Sequence, residues 1–268
     1  MQDHRQAIHF LRCNPLRNIV LLKMLTAHPH AVQSYYHQVG DDAGVLLLLP
    51  THAFAYDRQT YPTAQQVVIL TAAAPSVVTA LLPAIPTGCT LVFKLMDDDT
   101  RRVIAEHFVL ERVRAFISYT GNNASLFRLW HEVVIAKTVD ERCYPLFTTQ
   151  GLAPDEVVHY FADGKAHSFT LYEHNDPAGE PIAACLTYQN FEQVYEIGGV
   201  FTIERERLKG HARKIVETAL HTLLQTSCIP RYNVHEANRP SIHLAESLGL
   251  QPFVVVEHWL HNFSCNLA

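Results

Sequence analysis

The chain of 268 residues has no apolar run long enough to cross a membrane. A spanning helix needs about 20 such residues, whereas the run at residues 45–49 stops at Pro50. The first residues, Met1, Gln2, Asp3, His4 and Arg5, lack the charged-then-apolar order of a secretory signal. The six cysteines (Cys13, Cys89, Cys143, Cys185, Cys228 and Cys265) include no Cys-x-x-Cys pair. That argues against a zinc site or a disulfide scaffold and for reduced thiols in a cytoplasmic protein. The 17 histidines include no His-Glu-x-x-His pattern. The closest pair, His28 and His30 around Pro29, reads as solvated loop, so no metal is expected. Positive charge is scarce too: 21 Lys and Arg against 26 Asp and Glu give a net charge of -5, which counts against a general nucleic-acid binder. Gly-Lys-Ser/Thr and Gly-x-Gly-x-x-Gly are both missing, which removes a P-loop and a Rossmann fingerprint.

What is present reads as globular. Hydrophobic residues make up 48% and charged residues 18%, which fits neither a disordered chain nor a coiled coil. The length suits one large domain or two of about 130 residues. A helical stripe (Ile8, Leu11, Cys13, Ile19, Leu22, Leu25) is interrupted at Pro15. Residues 32–39 and 45–49, around Gly40 and Gly44, predict a hairpin. A strand at 66–70, a helix at 75–82 with Pro75 at its start, a strand at 90–95, a helix at 97–108 and a strand at 113–119 follow. The polar break Thr120-Gly121-Asn122-Asn123-Ala124-Ser125 is the best linker in the chain, so the expected domains are 1–125 and 126–268. Beyond it come a strand at 132–137, a helix at 153–161 and strands at 168–172, 181–188 and 194–202. From Gly210 the residues Ala212, Ile215, Val216, Ala219, Leu220, Leu223 and Leu224 give one buried helical face. A strand at 231–235, a helix at 239–248 stopped by Gly249 and a strand at 253–259 complete a mixed α/β pattern.

The informative stretch is Arg207-Leu208-Lys209-Gly210-His211-Ala212, where a strand gives way to the long helix. Backbone N–H groups at a helix start lack intrahelical partners and sit at the positive end of its dipole. Gly210 and Ala212 are small enough for a phosphate to approach. Residues 205–214 carry five basic side chains (Arg205, Arg207, Lys209, Arg213, Lys214) against one acid, Glu206. In an acidic protein this local excess points to a polyphosphate ligand.

This block resembles the acyl-CoA-binding motif of the GNAT superfamily of N-acetyltransferases, Gln/Arg-x-x-Gly-x-Gly/Ala. The preceding Glu196-Ile197-Gly198-Gly199-Val200-Phe201-Thr202 is similar to that family's central strand. The following Tyr232-Asn233-Val234-His235-Glu236-Ala237-Asn238-Arg239-Pro240-Ser241, with Leu244 and then Gly249-Leu250, looks like its next motif. The resemblance implies a mixed, mostly antiparallel sheet flanked by helices, of the branch with glycine N-acyltransferase-like and antibiotic-acylating enzymes. It implies acetyl-CoA as co-substrate, its pyrophosphate on the N–H groups of Leu208, Lys209, Gly210, His211 and Ala212, with Arg207, Lys209 or Arg213 on the phosphates. Pantetheine would pair with the backbone of Val200, Phe201 and Thr202 beside a bulge at Gly198-Gly199. Asn238 and Ser241 would complete the cofactor site. The Val200 N–H would meet the oxyanion, and Glu196, or less well Glu192, would be the base for a small-molecule amine attacking in a ternary complex.

One departure stands out. Many family members carry a tyrosine seven residues after the motif Asn, and here that position is Ala245. Ser241 or Tyr232 would then return the proton, or the thiolate would leave unaided. A longer acyl-CoA with an amino-acid acceptor, or an acyl-CoA sensor without catalysis, are the alternatives. The first half repeats much of the element order but has no basic residue or glycine at its junction Thr71-Ala72-Ala73-Ala74-Pro75-Ser76. It is expected to be a degenerate GNAT-like domain that shapes an acceptor cleft. No nucleic-acid or membrane partner is expected, and a homodimer is allowed.

Overall fold

The computed structural model describes residues 4–263; Met1, Gln2, Asp3 and Cys265 lie outside them. The chain divides into two compact units, one running to Ile117 and resuming at Val254, the other Ser118–Phe253. The sequence division at 125/126 cuts the chain once, whereas these units cut it twice, inside two strands. The five cysteines within the described residues are free. No helix among the described residues is long and apolar enough to cross a membrane.

The first unit begins with α1 (His4–Leu11) and α2 (Ile19–Ala27). β1 (Gln33–Val39) and β2 (Asp42–Pro50) form the expected hairpin, with Val39 opposite Asp42. Gly40 turns it at φ +61°, a conformation open to glycine at little cost. β2 is buried over seven consecutive residues, Ala43 to Leu49, so both its faces are covered. This explains why its sequence is a continuous apolar run and not an alternation. α3 (Ala55–Thr60), β3 (Gln66–Ala72), α4 (Pro75–Leu81), β4 (Leu91–Leu95) and α5 (Asp98–Ala105) follow, then β5 (Glu111–Thr120) and the closing β11 (Gln251–His261). Within this unit the strand order is β1-β2-β3-β4-β11-β5. Leu46, Val68, Leu70, Phe93, Val78 and Ile104 pack into one core between the sheet and α4 and α5. The opposite face holds a buried ion pair, Lys94 to Asp57 at 2.7 Å.

The second unit contains β6 (Val134–Ala136), α6 (Tyr144–Thr148), α7 (Pro154–Phe161), β7 (His167–Tyr172), β8 (Pro181–Phe191), β9 (Val194–Thr202), α8 (His211–Gln225), β10 (Ile229–His235) and α9 (Arg239–Ser247). Its strand order is β10-β9-β8-β7-β6, antiparallel except for the parallel β9–β10 pair. α8 buries Ile215, Val216, Ala219, Leu220 and Leu223, most of the stripe read from the sequence. Gly249 follows α9 at φ +74°, and its N–H and that of Leu250 bond back to the carbonyls of Glu246 and Ala245. The fold is a mixed α/β architecture with mostly antiparallel pairing flanked by helices.

Each unit contains one strand–helix–strand crossover with a short parallel ladder. β3 and β4 are in register from Gln66↔Leu91 to Ile69↔Lys94. β9 and β10 are in register from Val194↔Ile229 to Ile197↔Tyr232. Each ladder ends after four residue pairs while the strands run on.

Candidate functional site

β9 parts from β10 after Ile197, leaving the β10-facing edge of Gly198 to Thr202 without a strand partner among the described residues. On its other edge β9 pairs with β8, and the register jumps between Ala184↔Phe201 and Leu186↔Gly198. Gly199 and Val200 therefore oppose the single residue Cys185, which is a β-bulge, with Gly199 at φ +63°. The glycine pair in the sequence marks this bulge. The result is a short open edge of backbone at the end of the parallel ladder.

That edge leads through Ile203 into the start of α8. Leu208 and Gly210 both have positive φ, +64° and +84°, at the turn into the helix. Among the described residues, none of the backbone N–H groups from Leu208 to Ala212 has a hydrogen-bond acceptor. Two buried polar atoms beside them are also unpartnered, Thr202 Oγ1 and His211 Nδ1. A ligand rich in acceptors fits this donor set.

The local charge differs from the sequence count. Arg205 bonds Glu180 at 2.5 Å and lies 3.8 Å from Glu173. Lys209 and His211 both meet Glu206, at 2.9 and 3.1 Å. Arg213 turns to Glu217 at 3.2 Å and to Ser247, and Lys214 to Glu132 at 2.8 Å. The basic cluster read from residues 205–214 is thus largely balanced by its own Glu206 and by acids from the segment before β8, from α8 and from the loop before β6. Arg207 differs: its Nε donates to the Thr202 carbonyl at 3.3 Å and its guanidinium lies 5.8 Å from the Phe201 ring centre.

Glu196 is buried, and its Oε2 accepts from Arg231 Nη1 at 2.6 Å. The two residues are direct partners across the parallel ladder. Arg231 also donates to Asn190 Oδ1 at 3.0 Å and Ser118 Oγ at 3.1 Å, and Ser118 donates to Asn233 at 2.9 Å. Tyr188, opposite Glu196 on β8, has its phenol pKa pushed far up by burial and by the Glu196 charge. Its ring stacks on Tyr160 at 3.9 Å, and Tyr160 donates to Glu156 at 2.7 Å. Sequence reasoning missed Arg231, Asn190 and Tyr188. Their signal was polar residues at alternating positions within strands that are otherwise apolar.

Tyr232 follows Arg231 on β10, so it points to the opposite face. Burial raises its phenol to about 12, with hydrogen bonding to Ser241 working the other way. The structure brings Tyr232 and Ser241 together and places Glu196 on the other face, one residue before the end of the ladder. Asn238 is the N-cap of α9 and accepts the Ser241 N–H at 3.2 Å. Ala245 is fully buried. Burial also pushes the Cys185 thiol far up, and it donates to the Ile215 carbonyl at 3.8 Å, so no thiolate nucleophile forms there.

Residues 137–250 match the acetyltransferase (GNAT) family. The matched stretch lies within the second unit. Solved GNAT structures share the fold at low identity: a GCN5-related N-acetyltransferase from Sphaerobacter thermophilus matches with TM-score 0.56 at 12% identity, covering 82% of this chain and 76% of that one. A GNAT-family acetyltransferase from Colwellia psychrerythraea matches with TM-score 0.56 at 10% identity over 90% and 89%. A tandem GNAT protein of the clavulanic acid biosynthesis pathway matches with TM-score 0.53 at 12% identity over 92% and 88%. No curated protein matches in sequence. The solved structures share the fold, and the family match is confined to residues 137–250.

Proposed function

We propose that the chain is an acetyl-CoA-dependent N-acetyltransferase, moving an acetyl group to a primary amine of a small molecule by direct transfer in a ternary complex. The observation that carries this reading is the open β9 edge running into a helix start whose N–H groups have no acceptors. Acetyl-CoA has an extended pantetheine arm with two amides joined to a pyrophosphate, and the strand edge followed by the helix start offers hydrogen-bonding partners in that order. The pantetheine amides would pair with Val200, Phe201 and Thr202 as an added strand. The pyrophosphate would sit on the N–H groups of Leu208, Lys209, Gly210, His211 and Ala212. Arg207 is the basic side chain least committed to carboxylates. Lys209 would exchange its pair with Glu206, which solvent screens, for phosphate. Arg213, engaged with Glu217 and Ser247, would have to swing away from them to contribute.

The Val200 N–H lies in the bulge, where it would donate to the oxyanion that forms as the amine attacks. Glu196 is our candidate base, receiving the amine proton directly or through water, with Arg231 holding its carboxylate in place. Tyr232 and Ser241 on the opposite face would return a proton to the departing thiolate. The partner is a small-molecule amine. A cytoplasmic setting, reduced thiols and a homodimer remain part of the same proposal, as does a degenerate first domain.

The test is calorimetry with acetyl-CoA on the full chain, comparing Gly210→Ala with Gly210→Asp. A Cβ at Gly210 meets nothing within 4 Å, but φ is +84°, so alanine carries a backbone cost of about 1–2 kcal/mol and aspartate, which adopts this conformation more readily, no more than that. Only the aspartate adds a charge facing the pyrophosphate. The aspartate should abolish binding while alanine weakens it. Equal affinity in the two variants refutes the site. A screen of amines for CoA release then separates an enzyme from a sensor.

A further inference from the structure

The glycines of the β9 bulge leave space, and three side chains occupy it. A Cβ on Gly199 would lie 2.9 Å from Phe147 Cδ1 and 3.0 Å from Leu152 Cδ1. A Cβ on Gly198 would lie 2.9 Å from the Tyr188 hydroxyl. Phe147 is among the largest fully buried side chains of the chain. Its carbonyl accepts the N–H groups of Gln150 at 2.9 Å and Leu152 at 3.1 Å, which closes the turn after α6 and holds Leu152 beside it. Gly151, at φ +81°, makes that turn. Tyr188 is braced from behind by the stacked Tyr160 ring. The space beside the bulge is therefore a packed apolar wall.

We infer that Phe147 and Leu152 set the length of acyl group the chain accepts, limiting it to acetyl. The inference rests on the proposed placement of acyl-CoA along β9. In that placement the thioester carbonyl meets the Val200 N–H, so the acyl carbons are directed at the bulge. Acetyl ends after one methyl group. A longer chain has to enter the volume held by Phe147 and Leu152, and inserting methylenes into packed side chains forces rotamers and backbone to shift. Discrimination by a single methylene in an apolar pocket is commonly tenfold or more. Tyr188 supports the wall on the β8 side, and its hydroxyl is tied to Glu196, so the adjustable part of the wall is the Phe147–Leu152 turn.

The test is calorimetry of free CoA, acetyl-CoA, butyryl-CoA and octanoyl-CoA against the full chain, Phe147→Ala and Leu152→Ala, with no acceptor present. The parent should bind acetyl-CoA at least about tenfold more tightly than octanoyl-CoA. Each variant should reduce that ratio by about tenfold while its affinity for free CoA stays the same. Leu152 is only half-buried, so Leu152→Ala keeps the test open if Phe147→Ala does not fold. Free CoA binding together with equal affinity for acetyl-CoA and octanoyl-CoA in the parent overturns this inference alone. So does an unchanged ratio in the folded variants. No binding of free CoA overturns the site reading on which the inference rests.

Discussion

Replacing Glu196 tests both the stability of the second unit and the chemistry proposed for it. The carboxylate and the Arg231 guanidinium are 2.6 Å apart, with side chains 12% and 5% exposed. In Glu196→Ala the guanidinium keeps only two neutral acceptors, Asn190 Oδ1 and Ser118 Oγ. Removing one member of a buried ion pair costs about 3–5 kcal/mol, because the other charge stays buried without its partner. Glu196→Gln keeps the shape and one carbonyl acceptor, so its cost falls to about 1–3 kcal/mol. A double variant, Glu196→Leu with Arg231→Met, removes both charges and should lose less than Glu196→Ala. The assay is urea unfolding followed by tryptophan fluorescence. The chain has two tryptophans, one in each unit, so a Trp259→Phe background leaves Trp130 to report on the second unit. The Trp130 indole donates to buried Glu217 at 2.6 Å, so its emission is tied to the packing of α8. At about 1–3 kcal/mol per molar urea, the alanine variant should unfold about 1 M or more earlier. An unchanged midpoint, or a double variant worse than the single one, refutes the reasoning. Catalysis is then read separately: if Glu196 is the base, folded Glu196→Gln loses turnover and keeps acetyl-CoA affinity.

Two further expectations follow from the titrating groups. Hydrogen bonding to Arg142 is the largest influence on Asp140 and holds its carboxyl down to about 2, below its value of about 4 in an unfolded chain. Its contribution to stability is therefore complete above about pH 4 and is lost as pH falls toward 2; Arg142→Met should move the acid-unfolding midpoint upward, and an unmoved midpoint counts against the assignment. Burial pushes Cys143 up to about 11 and Cys185 further, whereas Cys13 is exposed. A disulfide reagent at neutral pH should label Cys13 in the native protein and reach Cys143 and Cys185 only on unfolding, so rapid native labelling of Cys185 refutes the packing described here.

Most of the fold was legible because its elements bury a face. The stripe along α8, the alternation and apolar runs of β2, β8 and β9, and Gly249 after α9 all express burial or capping in residue type. α3 and α6 were missed because six and five residues are too few to establish a helical period. The return of the chain from Val254 to the first unit was hidden as well. A strand's residue pattern states that its faces are covered but does not state by what.

The candidate site divides along the same line. Its backbone half was legible, because glycine is needed where φ is positive: Gly199 in the bulge and Gly210 at the helix start both stand where the sequence drew attention. Its side-chain half was not. The five basic residues of 205–214 read as a free positive patch until Glu180, Glu132 and Glu217 are placed beside them. Glu196 read as an isolated strand carboxylate until the β9–β10 register sets it opposite Arg231, 35 positions later. Backbone geometry is encoded locally, by which residues tolerate it, whereas the charge state of a site is set by pairings across the sheet. The opening at the end of the β9–β10 ladder therefore rests on firmer sequence signals than the identity of the base, and the CoA binding proposed for it should survive the loss of Glu196.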